Sequence, residues 1–286
     1  MEWIHKRNIL IVGLGLIGGS YAKALHRLGY NVWAIDTNPE AIRFALDQEI
    51  VDKGSTLVDP ELVGQADVLI FALYPGVFVR WIADHQHLLK SGAMLTDVTG
   101  VKSCIVYEIQ AMLREDVEFI AAHPMAGKET SGVENSDDRI FRDANYIVVP
   151  TEKNTEQAVC WCRELGQILG FARISVLSPQ AHDEMIGFVS QLTHCIAISL
   201  MTCTENRHLV DYTGDSFRDL TRIARINDRM WSELFLRNKD ALLEKMDVFI
   251  REFGDMRELL AREDEQGLRD KMRLSTLRRS YFDDRK

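Results

Sequence analysis

The chain has 286 residues, enough for a substantial core and two modest domains, and its 46% hydrophobic and 27% charged residues are an ordinary globular balance. A formal charge of −9 argues against a nucleic-acid or anionic-membrane partner, because both call for a basic face. The five cysteines (Cys104, Cys160, Cys162, Cys195 and Cys203) form neither a C-x-x-C nor a metal-ligand ladder, so they read as thiols in a reducing compartment, with no metal expected.

Met1 leads into a charged run from Glu2 to Arg7 with no apolar leader, and no stretch of about 18 consecutive apolar residues follows anywhere. A cytoplasmic location is therefore expected. Asn8 to Val12 predicts a strand, Gly13 to Ser20 a tight turn and Tyr21 to Leu28 a helix closed by Gly29. Glycines at 13, 15 and 18 permit the turn, a close backbone approach to a pyrophosphate and tight helix packing. The phosphates would meet the helix N-terminus around Leu16 and Ile17, where free N–H groups favour negative charge. The next strand, Asn31 to Ile35, ends at Asp36, about 18 residues past the last glycine, where a carboxylate accepts from the adenosine ribose hydroxyls. Such a carboxylate repels a 2′-phosphate, so NAD is expected over NADP. The alternative is that Asp36 only caps the helix starting at Asn38, with Arg43 offsetting its charge.

Further apolar runs at Val68 to Leu73, Met94 to Val98, Phe119 to Ala122 and Tyr146 to Val149 alternate with helical or loop segments, which implies βαβ units and a mostly parallel sheet. Two loops at the sheet edge, Leu73 to Pro75 and Asp97 to Lys102, would face a cofactor. Lys102 reads equally well as the start of an exposed helix. The stretch His123 to Gly132 follows a strand, which puts the imidazole where open α/β sheets bind ligands. By itself it reads equally as a hydrogen-bonded core residue.

A helix from about Asn154 to Leu169 and a strand-like run Ala172 to Leu177 complete residues 1–178 as a Rossmann-type domain. After Pro179 only helical patterns recur, so residues 179–286 are expected to form an all-α domain. Met185, Val189, Leu192, Ile196, Leu200 and Cys203 mark an apolar stripe, with His194 opposite as either a helix contact or a cleft residue. Leu242, Met246, Phe249, Phe253, Met256 and Leu260 form a coiled-coil-like seam that suggests a homodimer. The charged segment past Glu263 reads as a solvated helix.

With Gly13 to Ser20, Asp97 to Lys102, His123 to Gly127, Ser131 Gly132, His194, Phe217 to Ala224 and Met230 Trp231 in place, the chain resembles the prephenate dehydrogenases of tyrosine biosynthesis from about Asn8 to Lys239. The resemblance implies oxidative decarboxylation of prephenate to 4-hydroxyphenylpyruvate with NAD as hydride acceptor. It also implies His123 as the base and Arg222 as the partner of the ring carboxylate. His194 and Trp231 would line the substrate pocket, and Lys128 would meet the pyruvyl end. Arg218 and Asp183 rank below Arg222 as pocket or ion-pair residues. Many relatives carry a serine where this chain has Gly100, so Thr99, Ser103 or a water is expected to replace its hydroxyl. Arogenate dehydrogenase and a non-catalytic NAD-binding sensor are the competing readings.

Overall fold

The computed structural model describes Trp3, residues 7–205 and residues 207–283. The charged opening run lies outside these apart from Trp3 and Arg7. Strand β1 (Asn8–Val12) carries Ile9, Leu10, Ile11 and Val12, none more than 2% exposed. Side chains alternate across a strand, so Ile9 and Ile11 enter one apolar cluster while Leu10 and Val12 enter the other. A run apolar on both faces belongs in the middle of a parallel sheet.

Helix α1 (Leu16–Arg27) leads to β2 (Asn31–Ile35), α2 (Pro39–Asp47) to β3 (Lys53–Ser55), and α3 (Pro60–Gln65) to β4 (Val68–Phe71). Helix α4 (Pro75–His85), β5 (Met94–Asp97), α5 (Ser103–Met112) and β6 (Glu118–Phe119) complete the layer. The six strands pair in parallel in the order β3-β2-β1-β4-β5-β6. The order reverses between β1 and β4, which opens a crevice beyond their carboxyl ends.

The run Phe119 to Ala122, expected as one strand, divides at Ile120. After β6 the chain enters a second sheet through β7 (Ala121–Pro124), which pairs antiparallel with β8 (Asn145–Val149). Helix α6 (Glu156–Ile168) then leads to β9 (Arg173–Val176), parallel to β8. His123 therefore lies within β7 opposite Ile147, not at the start of a loop. The ladder runs on because Met125 N still donates to Asn145 O at 2.8 Å.

The expected single helix after Pro179 is α7 (Pro179–Ile186), a π-helical turn at Gly187–Leu192, and α8 (Thr193–Thr202). The i→i+5 bonds of that turn shift the phase of the stripe. Met185 and Val189 are exposed, while His182, Asp183, Ile186 and Gln191 are buried on the other side. Only this run has the length and apolarity of a membrane span among the described residues, and it is anchored by these buried polar groups. Helices α9 (Asp215–Thr221) and α10 (Asp228–Arg237) follow.

Residues up to Asn238 form one compact unit and residues 239–286 a second. The second is a hairpin of α11 (Lys239–Ala261) and α12 (Glu265–Ser280), in which Asp264 caps α12 and Lys271 pairs with Glu252 at 2.9 Å. Phe253 and Leu260 of the expected seam are exposed on this hairpin.

Candidate active site

The glycine turn is built by close approach. Gly13 has φ +100°, and a Cβ there would lie 2.5 Å from the Ala72 carbonyl oxygen; one on Gly18 would lie 1.9 Å from the oxygen of Gly13. Gly15, in contrast, faces open space. It is the N-cap of α1 and supplies no side chain, so the first N–H groups of the helix, including those of Leu16 and Ile17, stay free for an anion. Asp36 does not cap α2. That task falls to Asn38, whose side chain accepts from Glu40 N, while the Asp36 carboxylate accepts from Leu14 N at 2.6 Å and from Asn38 N at 2.7 Å. Arg43 pairs with Glu40 instead of offsetting Asp36. The adjoining cleft, about 700 Å³, is lined by Leu14, Gly15, Asp36 and Glu40 on one side and Ser131 to Glu134 on the other. Its carboxylates suit an unphosphorylated ribose.

Around His123 the chain assembles a buried hydrogen-bonded chain. His123 Nδ1 lies 2.9 Å from His182 Nε2, and His182 Nδ1 lies 2.7 Å from Asp183 Oδ1. The same carboxylate accepts from Lys102 N at 2.9 Å and Ser103 N at 2.8 Å, which caps α5, a helix with no side-chain cap of its own. Asp183 is held below the usual carboxylate range against its burial by the His182 hydrogen bond and charge and by Ser103. Burial, reinforced by His182 and the Lys102 cation, holds the His123 imidazole well below the ordinary histidine value. It is therefore a neutral ring, and Nε2 has no hydrogen-bond partner among the described residues.

Lys102 is not the exposed start of a helix. Its side chain is fully buried, with Nζ donating to Asp97 at 2.7 Å, Thr99 Oγ1 at 3.1 Å and the Ala122 carbonyl at 2.6 Å. Burial pulls its pKa down and Asp97 opposes this. Thr99 also departs from expectation, since its buried hydroxyl is committed to Asp97 and Val101 O and not turned to a substrate. A Cβ at Gly100 would sit 3.5 Å from Leu234 and 3.9 Å from His123 Cε1, both ordinary contacts. Gly100 thus lies between Leu234 of α10 and the His123 ring.

Of the other residues expected at the substrate, His194, Arg222 and Trp231 lie in the helical region and Lys128 in the segment after β7. His194 stacks on Trp231 with ring centroids 3.7 Å apart and bonds the Ser190 carbonyl through Nδ1 at 2.9 Å. Arg222, 63% exposed, pairs with Glu129 of the segment following β7. Both charges act on His194, Arg222 lowering its pKa and Glu129 raising it, behind the larger effect of burial, which lowers it. Lys128 is exposed and 3.4 Å from Asp137, and Arg218 pairs with Asp215 on the surface. Sequence reasoning missed His182 and the buried role of Lys102, and underrated Asp183. The available signal was a His-Asp dipeptide in the first turns of a helix already capped by Ser178.

The family model "Prephenate dehydrogenase, nucleotide-binding domain" matches residues 21–172, and "Prephenate dehydrogenase, dimerization domain" matches residues 178–274. The chain belongs to the prephenate dehydrogenase family. Bacillus subtilis prephenate dehydrogenase is 31% identical over 270 residues, covering 92% of this chain and 72% of that protein. Cyclohexadienyl dehydrogenase of Zymomonas mobilis is 27% identical over 90% of each chain. The solved structure of A. aeolicus prephenate dehydrogenase in complex with hydroxyphenyl propionate and NAD+ is similar at a TM-score of 0.90 and 30% identity, over 98% of this chain and 100% of that one. A prephenate dehydrogenase is an oxidoreductase, and residues 21–172, directly after the glycine turn, match the family's nucleotide-binding domain.

Breaking a buried ion pair by removing one partner typically costs about 3–5 kcal/mol. Lys102→Met is expected to lose that much in urea unfolding, and the double variant Asp97→Leu/Lys102→Met to lose less than the sum of the singles. Additive losses would show that the pair is not coupled.

Proposed function

We propose that this chain catalyses the NAD-dependent oxidative decarboxylation of prephenate to 4-hydroxyphenylpyruvate in tyrosine biosynthesis. The observation that carries this reading is the neutral His123 ring, bonded through Nδ1 and open at Nε2, on a strand beside the glycine-turn sheet. NAD, when bound, supplies the hydride acceptor. Gly13, Gly15, Leu16, Ile17 and Gly18 would hold its phosphates at the uncapped start of α1, and Asp36 its adenosine ribose. The glycine geometry serves the pyrophosphate of either nicotinamide cofactor; the Asp36 carboxylate, with Arg43 of the same cleft held by Glu40, favours NAD over NADP.

His123 Nε2 accepts the proton of the ring hydroxyl as the carbon bearing it loses hydride, and loss of carbon dioxide makes the ring aromatic. Arg222 receives the ring carboxylate in place of Glu129. An exposed ion pair is worth about 0–1 kcal/mol, so a ligand carboxylate displaces Glu129 at little cost and gains a bidentate contact. His194 and Trp231 flank the ring. Lys128 meets the pyruvyl end, where its cation disfavours the ammonium of arogenate.

A second copy of the chain completes the assembly through the C-terminal helices. Phe249, Ile250 and Phe253 are exposed on α11, and the matching family domain is described as a dimerization domain. Five free thiols among the described residues agree with a cytoplasmic enzyme.

Nicotinamide reduction followed with prephenate and with arogenate, each with NAD and NADP, tests the reading. Prephenate with NAD is expected to be fastest. His123→Asn should lower kcat by about two to four orders of magnitude, and Arg222→Gln should raise KM for prephenate by about ten- to a hundredfold. Faster turnover of arogenate would reassign the substrate, and tight NAD binding without turnover of either would make the chain a sensor. Sedimentation at micromolar concentration should show a dimer, and a monomer alone would reject the interface.

A further inference from the structure

Resting on the assignment of His123 as the base, we propose that His182 and Asp183 form a proton relay behind it. The relay fixes which nitrogen of His123 accepts the proton and carries the charge away from the reacting ring.

The donor roles follow from one end of the chain. Asp183 receives two backbone N–H groups, from Lys102 and Ser103, so it is an ionised acceptor. At 2.7 Å, His182 Nδ1 must then be the protonated nitrogen, which leaves Nε2 of that ring as a lone pair. Among the described residues the donor for that lone pair is His123 Nδ1–H at 2.9 Å, so His123 presents an unprotonated Nε2. His182 is fully buried, so no solvent competes for either bond. The network also fixes Asp183 from its backbone side, because Asn238 Nδ2 donates to the Asp183 carbonyl at 2.9 Å and to Gln191 Oε1 at 2.7 Å.

The transfer balances as follows. The substrate O–H bond breaks and an Nε2–H bond forms on His123, while the oxygen keeps the electron pair that becomes carbonyl as hydride departs to NAD. The Nδ1–H bond of His123 breaks and an Nε2–H bond forms on His182, leaving a neutral His123 and an imidazolium paired with the Asp183 carboxylate. After product leaves, the reverse shift restores Nδ1–H and the Nε2 proton passes to water.

The groups facing the two rings are Asp183 from α7, Lys102 at the start of α5 and Asp97 at the end of β5. Lys102 opposes a positive charge on either ring, but only His182 has a carboxylate in contact. Burial lowers both imidazoles, and His123 lies further below the ordinary value because it lacks that partner.

The test uses 15N NMR of histidine-labelled protein without substrate, with His123→Asn and His182→Gln assigning the signals. Both rings should be Nδ1–H tautomers near neutral pH, and on acidification His182 should become doubly protonated before His123. An Nε2–H tautomer at His123, or protonation of His123 first, would overturn the relay whatever the substrate proves to be. In turnover, His182→Gln keeps an acceptor for the His123 Nδ1–H but cannot take its proton. It should lower kcat by about a hundredfold with KM for NAD unchanged. An undiminished kcat would reduce His182 to a packing residue. If the tautomers are as expected yet no substrate turns over, the relay stands and the assigned reaction fails.

Discussion

A single buried carboxylate, Asp183, joins the parts of this site. It accepts hydrogen bonds from the two N–H groups that open α5 and from His182, and its own carbonyl is tied to Asn238. Taking a carboxylate out of water is costly unless charge-assisted hydrogen bonds replace its hydration, and three donors within 2.9 Å do so. The start of α5, the β7 histidine and the helical region after Pro179 are consequently held in one geometry. Gln191 in the π-helical turn extends the same network to the Leu234 carbonyl on α10, the helix that also carries Trp231.

Beneath this lies the Lys102–Asp97 pair, in which all three ammonium contacts are made within the protein. One of them is the carbonyl of Ala122, immediately before His123, so the pair fixes the backbone that carries the imidazole. Its positive charge also works on the ring from behind. The proposed base must be neutral to accept a proton, and burial, the second histidine and this cation all favour the neutral form. Packing and electrostatics here serve the same end.

The Rossmann half was readable because its signals are local. Short continuous apolar runs, positive-φ glycine and an acid ending the second strand each depend on neighbours a few residues away. The split at Ile120 was not readable, because an apolar run does not say which sheet it joins; pairing with Asn145–Val149 decides that. Apolar spacing after Pro179 gave a helix but only part of its buried face: Leu192 goes inward as expected, whereas Met185 and Val189 stay exposed because His182, Asp183 and Gln191 go inward for their hydrogen bonds. His123 and Arg222 were singled out from short motifs. Lys102 and His182 were not, since their roles come from contacts 20 to 59 residues away. Thr99, expected at the substrate, is instead consumed by the buried pair through the Asp97 carboxylate two residues before it.

Everything in this account turns on an imidazole that stays neutral and keeps Nε2 free. The most direct measurement is the pH dependence of kcat/KM for prephenate, which reports the ionisation of the free enzyme. A folded-state value below 6.5 means that the neutral base persists as pH falls through the ordinary histidine range and is lost only lower. The account predicts an acidic limb centred below pH 6.5 that moves up when Lys102 is replaced by Met. A limb centred at or above 6.5 in the native enzyme would contradict it.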